Sequence, residues 1–351
     1  DVTARYTGGA QPAGETGPAV YVRAWTSAEG ERIAARVEVM DASGGVVDLA
    51  TTRAGRSDLN DMPALRLAGA THLRVHHDGA ARIAPLPSPD GGGTLDLRWD
   101  GLGLGEGEAE ALVEAAWNER RDAIAREREE ELEAGAFTVG DRTLRVLEKT
   151  FGDEPAGGRS LWISLHGGGG APAEVNDRQW RNQIGLYEPG EGIYVAPRAP
   201  TDTWNLWHQA HIDPLFDRLI EAYAAGRGVD PDRVYLLGYS AGGDGVFQLA
   251  PRMADRFAAA AMMAGHPNET KPLGLRNLPF ALLMGGEDSA YDRNAVARRW
   301  EGELAALAAS DEGGYPHLVK MYEGLGHWME GRDAEVLPWM AGRTRDAWPS
   351  R

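Results

Sequence analysis

A serine stands between glycines at Gly238–Gly242, directly after the apolar run Arg233–Leu237. This spacing predicts a nucleophile elbow, in which a buried strand turns sharply into a helix and presents Ser240 at the apex. Glycine is needed on either side because side chains there would collide with the strand and helix that pack around the turn. A serine hydroxyl is a weak nucleophile by itself, so the pattern also predicts a histidine base within reach of Ser240.

The position of that base follows from the order of residues in the chain. In hydrolases with such an elbow the nucleophile is followed first by an acid and then by the histidine. Of the nine histidines, His317 and His327 lie far enough beyond Ser240 to leave room for an acid. His317 opens the strand-like run His317–Tyr322, whereas His327 follows that run in a glycine-rich segment. Because α/β folds place their chemistry beyond the carboxyl ends of strands, His327 is the predicted base.

The acid is expected on the loop after the preceding strand, which the sequence predicts at Phe280–Met284. Asp288 is the first choice, and its role would be to accept the Nδ1 proton of His327 and stabilise the imidazolium. Asp292 is the second choice, although its position at the start of the next predicted helix is also that of a capping residue. Glu287 is the third.

A backbone oxyanion hole is predicted beside the serine. The apolar strand Leu161–Leu165 runs into the glycine-rich segment His166–Gly170. Glycines allow bare N–H groups to approach a developing negative charge. One donor is expected from Ala241, the residue after the nucleophile, and the other from Gly167 or Gly168.

Four motifs in one order carry a family resemblance. They are HGGGG at 166–170, GYSAGG at 238–243, GGED at 285–288 and GHW at 326–328. Over about residues 137–342 the chain resembles the α/β-hydrolase superfamily, in particular its polyhydroxyalkanoate-depolymerase-like and feruloyl-esterase-like serine esterases. The resemblance implies hydrolysis of carboxylic esters through an acyl-enzyme, without a cofactor. A small-molecule or polymeric ester is then the expected substrate.

The hydropathy pattern divides the chain into unlike parts. Short alternating runs such as Val20–Trp25 and His72–His76 predict an all-β, antiparallel, Ig-like sandwich. After Phe137, strands alternate with helices, which are expected at about 209–226, 241–252, 292–309 and 331–342. This alternation predicts a mostly parallel sheet with helices on both faces, the α/β-hydrolase fold. The predicted organisation is a flexible lead-in at 1–16, the sandwich at 17–100, a helical linker at 101–135 with one helix at 106–134, and the catalytic domain at 136–351.

Aromatic and histidine residues near the predicted strand ends are candidate substrate-binding groups. They are Trp204, Trp207, His208, His266 and Trp328. The two tryptophans near residue 205 have a second interpretation, which is packing against the helix that follows them. For His266 the alternative is a hydrogen bond that stabilises its loop.

Metal binding is not predicted. His208 and His211 stand three residues apart with no glutamate between them, unlike the HExxH pair of zinc hydrolases.

Composition limits the partners of this chain. The net charge of −17 opposes binding to nucleic acid or to anionic membranes. No apolar run is long enough for a membrane span, and the absence of cysteine excludes disulfides and thiol chemistry. The chain begins at Asp1, which favours a processed, secreted or periplasmic protein, with a cytoplasmic location left open. A monomer or homodimer is expected.

Three functions compete at this point. The first is a serine esterase, with polyesters or feruloyl esters among its substrates. The second is a serine peptidase of the same fold, although neither an acid pair for an amine nor a propeller domain is visible. The third is a binding protein without catalysis, which the complete set of serine, acid and histidine disfavours.

Overall fold

The computed structural model describes residues 19–27, 30–54, 63–86, 94–101, 106–347 and 349. The lead-in predicted for residues 1–16 lies outside these ranges. The chain divides into two compact units, Asp1–Arg120 and Arg121–Arg351.

The described part of the first unit consists mainly of strands. These are β1 (Ala19–Trp25), β2 (Arg36–Met40), β3 (Val46–Thr51), β4 (Ala64–Arg66), β5 (His72–His77), β6 (Ala80–Pro85) and β7 (Thr94–Arg98). One sheet has the order β4-β1-β7 and the other the order β3-β2-β5-β6. Alternate residues of both sheets, among them Val22, Val37 and Leu97, form one buried apolar cluster, as expected for strands with a period of two.

One strand pair in this unit departs from the antiparallel prediction. The strands β1 and β7 run parallel over Tyr21–Trp25 and Thr94–Arg98. Hairpin turns force sequence neighbours such as β5 and β6 to be antiparallel. The strands β1 and β7 are far apart in the chain, so no short turn dictates their relative direction.

A single long helix follows, and its bounds agree with the prediction. The helix α1 spans Glu106–Ala134. Gly135 follows it with a φ of 58°, a conformation that glycine commonly adopts at the end of a helix. The division between the two units falls inside this helix, after Arg120. Leu132, near its end, is buried in the main apolar cluster of the second unit.

The second unit alternates strands and helices. Its strands are β8 (Ala136–Val139), β9 (Arg142–Phe151), β10 (Arg159–Leu165), β11 (Gly192–Arg198), β12 (Val229–Tyr239), β13 (Ala259–Met263), β14 (Phe280–Gly285) and β15 (His317–Tyr322). Its helices are α2 (Ala173–Gln183), α3 (Ile212–Gly226), α4 (Ala241–Arg252), α5 (Arg293–Ser310) and α6 (Leu337–Ala341). The sequence predicted α3, α4 and α5 to within a few residues but did not predict α2. In the predicted helix at 331–342, residues Arg332–Val336 form a 3₁₀ helix before α6.

One eight-stranded sheet, in the order β15-β14-β13-β12-β10-β11-β9-β8, organises this unit. From β15 to β11 neighbouring strands are parallel, and β9 and β8 extend the sheet with antiparallel pairs. Within β10, Leu161 and Ile163 join the apolar cluster on one face, while Trp162 joins the cluster on the other. Both faces are therefore covered, which explains the continuous apolar runs and confirms the α/β prediction.

The order of strands also fixes where a ligand would bind. From β10 the chain passes to β11 on one side, and β12 then lies on the opposite side of β10. Such a reversal opens a crevice beyond the carboxyl ends of the strands. The elbow after β12 and the glycine run after β10 both lie at this edge. Among the described residues, no helix is long and apolar enough to cross a membrane.

Candidate active site

Ser240 lies at a strained turn between β12 and α4. Its φ of 58° and ψ of −123° are unusual for a residue other than glycine. The turn is held because the Ser240 N–H donates to the carbonyl of Met263, at 2.9 Å. A side chain at Gly242 would overlap the carbonyl oxygen of Leu165, so glycine lets the start of α4 approach β10.

A chain of hydrogen bonds links three loops at this edge. The Nε2 atom of His327 lies 2.9 Å from the Ser240 hydroxyl oxygen. Its Nδ1 atom lies 2.7 Å from a carboxylate oxygen of Asp288. With Nδ1–H donating to the carboxylate, Nε2 is free to accept the serine proton. His317, the other histidine considered, is the first residue of β15. It therefore lies at the amino ends of the parallel strands, away from the ends that carry Ser240 and Asp288.

The environment of Asp288 differs from that of the two other acids considered. Only 3 % of Asp288 is exposed, and Arg293 places a guanidinium nitrogen 3.6 Å from its second carboxylate oxygen. Glu287 and Asp292 are both exposed. Asp292 stands at the start of α5, but its side chain makes no capping hydrogen bond there. Asp288 is the acid that hydrogen-bonds to His327.

The glycine segment after β10 packs against the elbow. A Cβ atom on Gly167 would lie 3.1 Å from the Cβ of Ser240, so the loop backbone runs directly beside the serine. Gly168 has a φ of 107°, a conformation that side chains rarely allow. Ala241 is the first residue of α4, where an N–H group has no partner within the helix. Of the predicted donors, Gly167 and Ala241 therefore lie beside Ser240.

The side chain of His166 holds this loop in place through two hydrogen bonds. It is fully buried, its Nδ1–H donates to the Gly167 carbonyl at 2.7 Å, and its Nε2 accepts the Ala199 N–H at 3.1 Å. Burial lowers the pKa of His166 to about 4 and keeps the ring neutral. Because a trans peptide points its N–H away from its carbonyl, the bond to Gly167 sets the direction of the Gly168 N–H.

Asn176 is a second support of the loop that the sequence interpretation missed. It lies on α2 and is fully buried. Its side-chain oxygen accepts the Gly169 N–H at 2.9 Å, and its amide donates to Asp202 at 2.8 Å and to the Ala171 carbonyl at 3.2 Å. An asparagine shortly after a glycine run was the available signal, but only the fold of α2 shows its partners.

The predicted aromatic residues have different environments. Trp204 is 64 % exposed and Trp328 is 54 % exposed. Trp204 lies against Gly170 of the glycine loop, and Trp328 directly follows His327. Trp207, in contrast, is fully buried and donates its indole N–H to the His166 carbonyl at 3.1 Å. The expectation that Trp207 contacts substrate is therefore wrong, because the second interpretation, packing, describes it.

The two candidate histidines are held by local contacts. His208 is half-buried and meets the Trp204 ring edge-on, with centroids 5.4 Å apart. The His266 N–H donates to Asp244 at 2.6 Å, and its Nδ1 accepts the Asn268 N–H at 2.9 Å. The alternative expectation for His266, a loop-stabilising role, matches these bonds. Burial raises the pKa of Asp244, which stands in the first turn of α4.

Comparison with known proteins gives one family match and one relative. Residues 192–350 match the model of the dienelactone hydrolase family, a range that includes Ser240, Asp288 and His327 but not the glycine segment. The chain is 32 % identical over 145 residues to the putative esterase NocK of Nocardia uniformis subsp. tsuyamanensis, an alignment covering 37 % of this chain and 40 % of that protein. The chain thus spans less than half the length of this relative.

Solved structures show weaker similarity. A thermostable esterase has 14 % identity and a TM-score of 0.44, covering 93 % of this chain and 100 % of its own. The poly(3-hydroxybutyrate) depolymerase LpqC of Bordetella parapertussis has 19 % identity and a TM-score of 0.45. The match covers 64 % of this chain and 96 % of that one.

The matched family is named for a hydrolase and the relative for an esterase. They agree with the parallel sheet and with a serine placed after its central strand. The second unit of this chain has the mostly parallel sheet of the α/β-hydrolase fold and is similar, over residues 192–350, to the dienelactone hydrolase family.

Proposed function

We propose that this protein is a serine esterase that cleaves carboxylic esters through an acyl-enzyme. The observation that carries the proposal is the continuous hydrogen-bond path from Ser240 to His327, at 2.9 Å, and on to Asp288, at 2.7 Å. Ser240 is the nucleophile, His327 the base and then the acid, and Asp288 the carboxylate that orients the ring and stabilises its charge.

Acylation begins when the Ser240 oxygen attacks the ester carbonyl carbon and its proton moves to Nε2 of His327. The carbonyl oxygen takes the negative charge and is bound by the N–H groups of Ala241 and of Gly167 or Gly168. When the tetrahedral intermediate collapses, the bond to the alcohol oxygen breaks. The alcohol leaves with the proton from His327, and an acyl-serine remains.

Deacylation repeats these steps with water. His327 takes a proton from the water, whose oxygen attacks the acyl carbonyl, and the same N–H groups bind the new oxyanion. Collapse releases the carboxylic acid, and the proton returns from His327 to the Ser240 oxygen. No cofactor is required for either half of the reaction.

The exposed tryptophans favour a bulky or aromatic ester. Trp204 packs against Gly170 of the glycine loop and Trp328 directly follows the base, so both exposed residues stand on segments that contribute to the site. Aromatic rings present large apolar surfaces to a substrate. Polyester and feruloyl-type esters are therefore proposed as substrates, and a dienelactone, a cyclic ester, joins them through the family match.

Covalent labelling tests the nucleophile. A fluorophosphonate should add to one site, and peptide mass spectrometry should locate the adduct on Ser240. The variant Ser240→Ala should lose about 10⁴- to 10⁶-fold in kcat and should not be labelled. Ser310→Ala, at the end of α5, is the control and should behave as the native chain. An adduct on another residue of the active protein would refute the assignment.

Two other functions remain as alternatives. A peptidase would cleave amino-acid anilides at rates comparable to those for p-nitrophenyl esters, and a binding protein would cleave neither. We expect ester cleavage alone. A panel of acyl lengths, soluble polyester fragments, feruloyl sugars and a dienelactone then ranks the substrates. Replacing Trp204 or Trp328 by alanine should raise KM for the bulky members more than for acetate esters.

For the first unit we propose an accessory role. Its two sheets around one apolar cluster are compatible with the predicted Ig-like module, which would shield the second unit, bind substrate or pair with a second copy of the chain. Export to the periplasm or the exterior stays a prediction.

A further inference from the structure

The segment that carries His327 contains three residues with left-handed backbone conformations. Gly324 and Gly331 have φ values of 77° and 76°, and Glu330 has a φ of 58°. Glycine gives a loop many alternative conformations. A base that must stay within 2.9 Å of the Ser240 oxygen needs additional restraints on this backbone.

Tyr239 supplies such a restraint through one hydroxyl group. Its Oη donates to the carbonyl of His327 at 2.7 Å and accepts the N–H of Met329 at 2.9 Å. The two bonds hold the backbone on both sides of Trp328. A neutral phenol can donate and accept at once, whereas a phenolate cannot donate. Burial raises the pKa of Tyr239 and so preserves the neutral form.

The ring of Tyr239 adds packing to these bonds. Its centroid lies 6.0 Å from that of the His327 ring, at an interplanar angle of 71°. It lies 5.7 Å from the Trp328 ring. Tyr239 is also the residue directly before Ser240, at the end of β12. One side chain therefore ties the strand that presents the nucleophile to the loop that presents the base.

We propose that Tyr239 is a positioning residue that holds His327 in register with Ser240. The proposal rests on the proposed function for its effect on ester cleavage, but the geometry it describes can be tested without any ester. It assigns a role to the residue between the first glycine and the serine of the Gly-x-Ser-x-Gly pattern. Without the hydroxyl, the His327 loop would sample other conformations and the base would be in place for a smaller fraction of the time.

The first test compares two matched tyrosines on β12. Tyr239→Phe removes the hydroxyl that bonds to the His327 loop. Tyr235→Phe removes a hydroxyl that donates to the backbone carbonyl of Arg343 at 2.8 Å, away from the site. Both variants should lower the Tm. Only Tyr239→Phe should lower kcat, by about 10- to 100-fold, with KM changed less than about threefold, as expected for misplacement of a catalytic group.

The second test uses the absence of native cysteine in the chain. In Ser240→Cys, the new thiol is the only one, and its pKa can be measured from the pH dependence of alkylation by iodoacetamide. A nearby imidazolium lowers a thiol pKa below about 8.5. Adding Tyr239→Phe should raise the measured pKa by about one unit, a tenfold change. Adding His327→Ala to Ser240→Cys gives the upper limit of the thiol pKa. Adding Tyr235→Phe instead should leave the thiol pKa unchanged.

The outcomes separate this proposal from the proposed function. An unchanged thiol pKa together with an unchanged kcat in Tyr239→Phe would overturn the positioning role. A chain that cleaves no ester but shows the thiol shift would refute the esterase and keep the role of Tyr239. If Tyr239→Phe does not fold, amide hydrogen exchange of the native chain decides. Protection of the Met329 N–H comparable to that of strand amides supports the proposal, and exchange at the rate of a free loop amide overturns it.

Discussion

A buried carboxylate and an exposed one stand four residues apart in the loop that leads from β14 into α5, Asp288 and Asp292. The Asp288 carboxylate accepts the Nδ1–H of His327 at 2.7 Å. We predict that Asp288→Asn lowers kcat by about 10⁴-fold, because the amide favours the wrong histidine tautomer. Asp292→Asn should stay within about threefold of the native rate. Steady-state kinetics on a p-nitrophenyl ester measures both, and equal losses would mean that Asp288 is not the acid.

The buried imidazole of His166 makes stability depend on pH. An exposed histidine titrates near 6.5, whereas folded His166 has a pKa of about 4. Between these values the unfolded chain binds one more proton than the folded chain, so the free energy of unfolding falls as the pH decreases from 6.5 to 4. Above this window the contribution of His166 is fully present. The full effect is about 3 kcal/mol.

Denaturant unfolding at several pH values tests this linkage. The native chain should lose stability between pH 6.5 and 4 more steeply than His166→Asn does. Burial raises the pKa values of Asp244 and Asp333, which gives the opposite slope. Both carboxyls are present in both proteins, so the difference between the two curves isolates His166. Parallel curves would contradict the neutral, buried histidine.

At the scale of elements, the glycine loop depends on α2 for its shape. Asn176 of that helix bonds to Gly169 and to Ala171, the residues on either side of Gly170. Asn176→Ala would leave the Gly169 N–H without its partner, which costs about 1–3 kcal/mol. The loop would lose its shape, and kcat should fall by about 10- to 100-fold.

The matched control lies on the same helix. Asn182 is exposed, so Asn182→Ala should leave both the Tm and kcat near native values. If Asn176→Ala lowered the Tm but left kcat unchanged, the oxyanion donors would not depend on this helix.

At the scale of the whole molecule, the division between the units lies after Arg120. A chain of residues 121–351 keeps Leu132, which is buried, and the Glu131–Arg218 ion pair at 2.8 Å. We predict that it folds and hydrolyses small soluble esters. A chain that starts at Gly135 loses both contacts, and its unfolding free energy should be lower by about 2–5 kcal/mol, the usual cost of deleting a buried leucine.

Circular dichroism, thermal melts and p-nitrophenyl acetate kinetics test the two truncated chains. If residues 121–351 fold cooperatively but cleave no ester that the full chain cleaves, the first unit is required for the active site. Activity on bulky or insoluble esters should fall more than activity on acetate esters if the first unit is an accessory module.

Local patterns in the sequence predicted the elements of the second unit well. Apolar runs such as Leu161–Leu165 are buried on both faces of the sheet, and that environment leaves a continuous hydrophobic signal in the chain. Gly238 and Gly242 correctly indicated that backbone segments approach each other closely at the elbow. The helix α2 was missed because its sequence is polar and directly follows a glycine run, so it resembles a loop.

The sequence by itself determined that Ser240, an acid near residue 288 and His327 would each follow a strand of one parallel sheet, because strand ends and their order are written locally. Only the tertiary structure decided which side chains support them. Tyr239 and Met329 are 90 residues apart, and His166 and Ala199 are 33 apart. The burial of Trp207 and the parallel pairing of β1 with β7 have the same origin. Such contacts depend on the path of the chain in space, and a single position in the sequence carries no record of its distant neighbour.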